Sequence, residues 1–247
     1  MNKRFENKVV VVTGGSDGIG LATAKLFAIE GAHVYITGRR QEILDEAVKE
    51  IGHGAVGVQG DVSNSDDMTL LYEQIQRDHQ KVDVVFANAG VHQPVPLDAI
   101  DDSDFDSTFN VNVKGMIFTV QKALPLMTAG STVVLNGSIA GSKGIPGQSL
   151  YNASKAAVRS FARSWTDDLK ERGIRVNVVS PGGTETRLIR SYLDSHPEVE
   201  DELNKSVPLG RLGEPNEVAR AVLFLASSES SFIAGHELFV DGGAAAV

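Results

Sequence analysis

Short apolar runs rich in β-branched residues recur along the chain at Lys8 to Thr13, His33 to Thr37, Ala55 to Gly60, Val82 to Ala87, Thr132 to Asn136, Arg175 to Ser180 and Glu237 to Val240. Such continuous runs suit strands buried on both faces of a parallel sheet. Between them the spacing changes to a helical period at Ile19 to Glu30, Gln41 to Glu50, Ser65 to His79, Asp104 to Leu124, Tyr151 to Arg172 and Glu217 to Ala226. Strand and helix alternate from end to end, which predicts an α/β fold: a doubly wound, mostly parallel seven-stranded sheet flanked by helices. The long stretches Asp104 to Leu124 and Tyr151 to Arg172 carry Phe109, Met116, Val158, Phe161 and Trp165. That is more apolar surface than one sheet face hides, and it predicts association between subunits. The segment at about 186–207 has no strand character and precedes the last helix, where an insertion covers a ligand crevice.

A length of 247 residues fits one domain spanning 1–247. Composition removes several chemistries. Cysteine is absent, which excludes disulfides, thiolate metal sites and a cysteine nucleophile. His33, His53, His79, His92, His196 and His236 are scattered, with no i, i+4 pair of the kind that holds zinc on a helix, so no metal site is expected. The net charge of -9 and the lack of any Lys or Arg block argue against nucleic acid as a partner. Met1 to Lys8 is short and polar, without a secretory apolar core, and no apolar run approaches the roughly 18–20 residues of a membrane span. No membrane contact and a cytoplasmic location are expected.

The first strand is followed by Thr13-Gly14-Gly15-Ser16-Asp17-Gly18-Ile19-Gly20, which opens the first helix. Gly14, Gly18 and Gly20 let the backbone turn tightly and approach a pyrophosphate at the positive end of that helix, as in a Rossmann-type dinucleotide site. A purely structural strand-to-helix turn uses the same glycines. The spacing differs from the commoner Gly-x-Gly-x-x-Gly, and it resembles that of the short-chain dehydrogenase/reductase family. Further landmarks of that family follow in order: Asp61 in Gly-Asp-Val-Ser-Asn, Asn88-Ala89-Gly90, Asn112, Ser138, Tyr151-Asn152-Ala153-Ser154-Lys155, Pro181-Gly182, Arg211-Leu212-Gly213 and Val240-Asp241-Gly242-Gly243. Two departures stand out: Ala87 where the family has a first asparagine, and Gly137 before the serine.

The resemblance implies a catalytic set of Asn112, Ser138, Tyr151 and Lys155, acting on a ketone or secondary alcohol with a nicotinamide cofactor. Physical chemistry supports those roles. Tyr151 and Lys155 lie four apart at the start of a helix and share a face. An ammonium beside a phenol stabilises the phenolate, so Lys155 tunes Tyr151 as acid/base. Ser138 donates to the same substrate oxygen, and by family analogy Asn112 fixes a water that links Lys155 to solvent. Cofactor contacts implied by the resemblance are Gly14, Ser16, Asp17, Gly18, Ile19 and Gly20 at the turn, Asp61 and Val62 at the adenine, and Asn88, Ala89 and Gly90 on the ribose side. Tyr151, Lys155, Pro181, Gly182, Thr184 and Thr186 follow at the nicotinamide end. Thr186 serves equally well as a helix N-cap.

The second strand ends Thr37-Gly38-Arg39-Arg40, with no carboxylate for a ribose 2′-hydroxyl and with cations for a 2′-phosphate. NADP(H) is favoured, with NAD(H) as the alternative. The same arginines form an exposed turn if they pair with Glu42 or Asp45. The substrate pocket is expected over Ser138 and Tyr151, walled by Val91 to Val95, Ile139 to Gln148 and the 186–207 segment, and mixing Val91, Ile145, Leu188, Ile189 and Leu193 with His92, Gln93 and Gln148. It suits a small or medium carbonyl compound. Among family members, 3-oxoacyl-acyl-carrier-protein reductases and glucose dehydrogenases are the nearest in pattern. The first of these is the alternative function, and it calls for a basic docking surface. Met127 to Ser131 offers no cation for that, although Lys170 and Arg172 remain. A non-catalytic cofactor-binding module is a third reading, and the resemblance also implies a homotetramer.

Overall fold

The inner apolar runs become strands because their side chains find hydrophobic partners on both sides of the sheet, whereas the two edge runs pack on one side only. In β1 (Val9–Thr13), Val9 and Val11 pack with Met68, Leu71, Met116 and Val158, while Val10 and Val12 pack with Phe27, Leu44, Val222 and Leu223. Burying each such side chain stabilises the fold by roughly 1.5–3 kcal/mol. The structure, a computed structural model, describes residues 3–195 and 197–246, and within them the side chains of all but Leu188, Ser191, Tyr192 and Pro197. The other strands are β2 (His33–Gly38), β3 (Val56–Gln59), β4 (Val82–Ala87), β5 (Met127–Asn136), β6 (Arg175–Pro181) and β7 (Glu237–Val240). They form one seven-stranded sheet in the order β3-β2-β1-β4-β5-β6-β7, every pairing parallel. The chain runs outward from β1 to β3 and then crosses back to β4. That reversal opens a crevice at the carboxyl ends of β1 and β4, where such sheets bind ligands.

Helices α1 (Gly18–Ile29), α2 (Gln41–Ile51) and α9 (Pro215–Ala226) bury residues of the second cluster. Helices α3 (Ser65–Asp78), α5 (Met116–Ala123) and α6 (Ser149–Asp168) supply the first. Three features differ from the sequence pattern. β5 begins at Met127 rather than Thr132, because Gly130 adopts a left-handed φ of 88° and the register with β4 shifts between Val82 and Val84, so the strand's first half has no apolar rhythm. The expected helix from Asp104 to Leu124 is interrupted: α4 (Asp102–Phe109) starts at a capping box between Asp101 and Asp104, then a π-helical turn at Asn110–Gly115 leads into α5. The 186–207 segment contains two short helices, α7 (Arg187–Ser195) and α8 (Pro197–Lys205).

The apolar surplus on the two long stretches divides. Met116 and Val158 are core residues, 3% and 0% exposed, and are not available to a partner. Phe109, Phe161 and Trp165 are half-buried; Phe161 and Trp165 stack with centroids 4.7 Å apart, and Phe109 stacks on the exposed Phe105 at 4.4 Å. Among the described residues no helix is long and apolar enough to cross a membrane, and no cluster of three potential metal ligands occurs.

Candidate active site

At the carboxyl edge of the sheet the glycine turn is shaped by contacts that leave no room for side chains. Gly14 and Gly18 have φ of 62° and 50°, and a Cβ at Gly20 would lie 2.2 Å from the Gly14 carbonyl oxygen. Asn88 at the end of β4 fixes the turn: its Nδ2 donates to the carbonyls of Thr13 (2.8 Å) and Gly14 (3.1 Å), and its Oδ1 accepts from Asn136 Nδ2 at 3.0 Å. Asp17 caps α1, accepting from the Gly18 N–H at 2.8 Å, and its other oxygen pairs with the Arg187 guanidinium at 2.9 Å. The covering segment is thereby tied across the turn.

A trough runs from this turn in both directions. Toward β2 and β3 it is lined by Ser16, Gly38, Arg39, Arg40, Asp61 and Val62, and beside them by Ala89 and Gly90. Neither Arg39 nor Arg40 pairs with a carboxylate among the described residues: Asp45 accepts from Gln41 instead, and Arg40 stands at the start of α2. Asp61 is engaged locally, its Oδ1 accepting from the Ser63 N–H and hydroxyl. Thr37 Oγ1 and Asn136 Oδ1, both in trough-lining residues, are buried without a hydrogen-bond partner. A cradle that excludes Cβ atoms, two unpaired guanidiniums and two orphaned polar atoms fit a dinucleotide carrying phosphates.

Toward β5 and β6 the trough opens into a cavity of about 480 Å³ with Ser138, Tyr151, Gln148, Ile145, His92 and Ile189 on its walls. Tyr151 and Lys155 come from successive turns of α6, and the Lys155 Nζ sits 5.6 Å from the Tyr151 ring centroid while donating to the Asn136 carbonyl at 2.8 Å. Burial pushes the Lys155 ammonium down to about 8. Burial also pushes the Tyr151 phenol up, against a smaller lowering by its hydrogen bond with Ser138. Desolvation therefore outweighs the lowering expected from Lys155. His92 stacks edge-on against Tyr151 at 4.6 Å. Asn112, fully buried in the π turn, clamps Val91: its Oδ1 accepts from the Val91 N–H at 2.8 Å and its Nδ2 donates to the Val91 carbonyl at 2.9 Å and to Ser154 Oγ at 3.1 Å. Its side chain holds the β4 loop to α6 and makes no hydrogen bond with Lys155.

Other expected residues divide. Pro181, Gly182, Thr184 and Thr186 line the cavity, and Thr186 also caps α7, accepting from the Ile189 N–H at 3.4 Å. Ile19 lines it as well. Val91 lies in the trough rather than the substrate cavity, Leu193 is buried at 2% exposure, and Gln93 points to solvent and donates to Asp104. The Leu188 side chain and His196 lie outside the described residues. Met127 to Ser131 sits at the amino end of β5, opposite Ser138, so its lack of cations says nothing of this chain's own cavity mouth.

Several participants have no local signal in the sequence. Arg159, one turn beyond Lys155, donates to the Gly141 carbonyl and pairs with Glu237 of β7, whose other oxygen accepts from Ser180 Oγ at 2.7 Å. Ser180 backs Gly137, where a Cβ would lie 2.4 Å from its hydroxyl, so the small residue before Ser138 is required by packing.

Known proteins resemble the chain over nearly its whole length. The family described as Enoyl-(Acyl carrier protein) reductase matches residues 14–245. An oxidoreductase of Sarocladium schorii is 44% identical, with 99% of this chain and 98% of that protein covered. A 3-oxoacyl-[acyl-carrier-protein] reductase of Thermotoga maritima is 38% identical, with 97% and 98% covered. A solved structure described as a short chain dehydrogenase/reductase family protein superposes with a TM-score of 0.87 at 38% identity, covering 99% of this chain and all of that one.

Proposed function

The chain belongs to the short-chain dehydrogenase/reductase family of oxidoreductases, and on that footing we propose that it reduces a small or medium ketone to a secondary alcohol, reversibly, with NADP(H) preferred over NAD(H). The observation that carries this is the placement of Ser138 and Tyr151 together on the cavity wall, with the buried Lys155 one turn behind on the same helix. When bound, the nicotinamide supplies the hydride. Tyr151 donates its proton to the carbonyl oxygen as negative charge develops there, and Ser138 donates a second hydrogen bond that fixes the carbonyl in line. Lys155 stabilises the phenolate left behind, and Asn112 keeps the Val91 loop and α6 in register. The glycine turn and Asp61, Val62 and Asn88 to Gly90 hold the cofactor; Arg39 and Arg40 take its 2′-phosphate, which a carboxylate at Gly38 would repel. Residues 1–247 act as one unit in the cytoplasm, with α7 and α8 covering the substrate.

The likeness to the Thermotoga maritima enzyme favours a second reading, reduction of a 3-oxoacyl thioester on a carrier protein. One experiment separates them. Oxidation of NADPH and NADH at 340 nm is followed with a ketone panel and with 3-oxoacyl thioesters, in wild type and Tyr151→Phe. Free ketones should be reduced with NADPH, and Tyr151→Phe should lose about 10²–10⁴ in turnover while still binding cofactor. Turnover confined to carrier-bound thioesters supports the second reading, and near-normal turnover in Tyr151→Phe refutes the proposed acid.

A further inference from the structure

Charge is distributed unevenly around the substrate cavity. Its walls carry hydrocarbon from Ile145, Ile189, Leu203 and Leu212 and neutral polar groups from Gln148 and Ser206. Among the described residues that line it, Lys143 alone bears a permanent charge, and no carboxylate faces it. The arginines on and beside the covering elements are neutralised within the fold, Arg187 by Asp17 at 2.9 Å, Arg190 by Glu200 at 2.9 Å and Arg211 by Glu217 at 2.7 Å, and the exposed Lys205 of α8 does not line the cavity. Lys143 is treated differently. Its ammonium donates to the Ala244 carbonyl at 3.0 Å and meets no carboxylate among the described residues. A neutral carbonyl takes one of the three ammonium donors and leaves the positive charge without a counter-ion among the described residues.

The position is also held. The Lys143 N–H donates to the Ile139 carbonyl at 2.9 Å, which fastens its backbone to the short turn that begins at Ser138. The buried Ala244 lies on the same cavity wall and keeps the side chain directed along it. In a chain of net charge -9, Lys143, exposed at the rim of the cavity and the one lysine or arginine among its described lining residues, creates a local field that favours an anion.

We propose that Lys143 is the counter-ion for a carboxylate carried by the substrate at the end remote from its carbonyl, so that the substrate class is the oxo acids with a hydrocarbon spacer. The apolar walls take the spacer, Ser138 and Tyr151 take the carbonyl, and Lys143 takes the acid. The inference rests on the reading of Ser138 and Tyr151 as the ketone-reducing pair.

The test uses methyl ketones ending in a carboxylate, with two to six methylenes between the groups, each paired with its methyl ester. At the best spacer length the wild-type kcat/KM for the acid should exceed that for the ester at least tenfold. Lys143→Met should abolish this preference with ester kinetics unchanged, and Lys143→Arg should restore most of it. Calorimetric binding of the corresponding saturated carboxylates, which cannot be reduced, should weaken at least tenfold in Lys143→Met. Esters reduced as well as acids at every length, or an acid preference that survives Lys143→Met, would overturn the assignment. If neither acids nor esters are reduced, the ketone-reductase reading fails; carboxylate binding indifferent to Lys143→Met then overturns this proposal separately.

Discussion

At the scale of single residues, Lys155 couples the site to pH. Its ammonium is buried, with a pKa lowered from the usual 10.5 to about 8. Between these values the unfolded chain binds a proton that the folded one does not, so this group makes stability rise as pH increases from about 8 to about 10.5. Below pH 8 the folded protein carries the full cost of the buried charge. The thermal midpoint of the cofactor-free protein, measured at pH 7.5 and 9.5 in wild type and Lys155→Met, should show this contribution as a difference between the two: the variant lacks it. An identical pH response in both proteins would contradict the burial argument. Cofactor choice is settled at the same scale. A Cβ at Gly38 would meet Ser16 Oγ at 3.2 Å, a flexible group, so Gly38→Asp is sterically accommodated. Wild type should favour NADPH by kcat/KM, and the Gly38→Asp, Arg39→Leu double variant should swing toward NADH; an NADH-preferring wild type would refute the role given to Arg39.

Among the elements, α6 does more than present Tyr151 and Lys155. Arg159 anchors its next turn to β7 through Glu237 and to the loop after Ser138 through the Gly141 carbonyl. Its side chain is 28% exposed and that of Glu237 13%, so the pair is only partly screened by water. Arg159→Leu leaves Glu237 without its counter-ion and should cost about 1–3 kcal/mol in urea unfolding, part of it recovered by adding Glu237→Gln. Equal stability of wild type and Arg159→Leu would show the bridge to be a surface ornament. Neither partner is visible in the sequence, because residues 78 apart on a helix and an edge strand share no local pattern. The glycine turn and the Tyr151 and Lys155 spacing were legible since each is a local arrangement of a few residues. The π turn at Asn112 was not: the helical period continues through Val111, Val113 and Met116, and what widens the turn is the Asn112 clamp on Val91, a contact formed only on folding. The inner strands could be read because both their faces are buried, and the half-buried edge strands β3 and β7 still carry valine and leucine on one face; the entry to β5 could not, because Gly130 and a register shift shape it instead of hydrophobic demand.

For the whole molecule, the aromatic pairs Phe105 with Phe109 and Phe161 with Trp165 remain only partly covered on α4 and α6. Removing such a face from water is worth roughly 25 cal/mol per Å², which favours subunit association. A homotetramer is expected, and light scattering that returned a mass near 26.3 kDa at micromolar concentration would refute it. The parallel sheet has a further consequence for handling the protein. Phe5 and Lys8 lead into β1 at the edge away from the crevice, whereas Ala244, close to the other end of the chain, lies on the substrate cavity and accepts from Lys143. A dye or a tether to a solid support attached near Phe5 and Lys8 would therefore leave the cavity clear, whereas the same group attached at Ala244 would crowd what enters it.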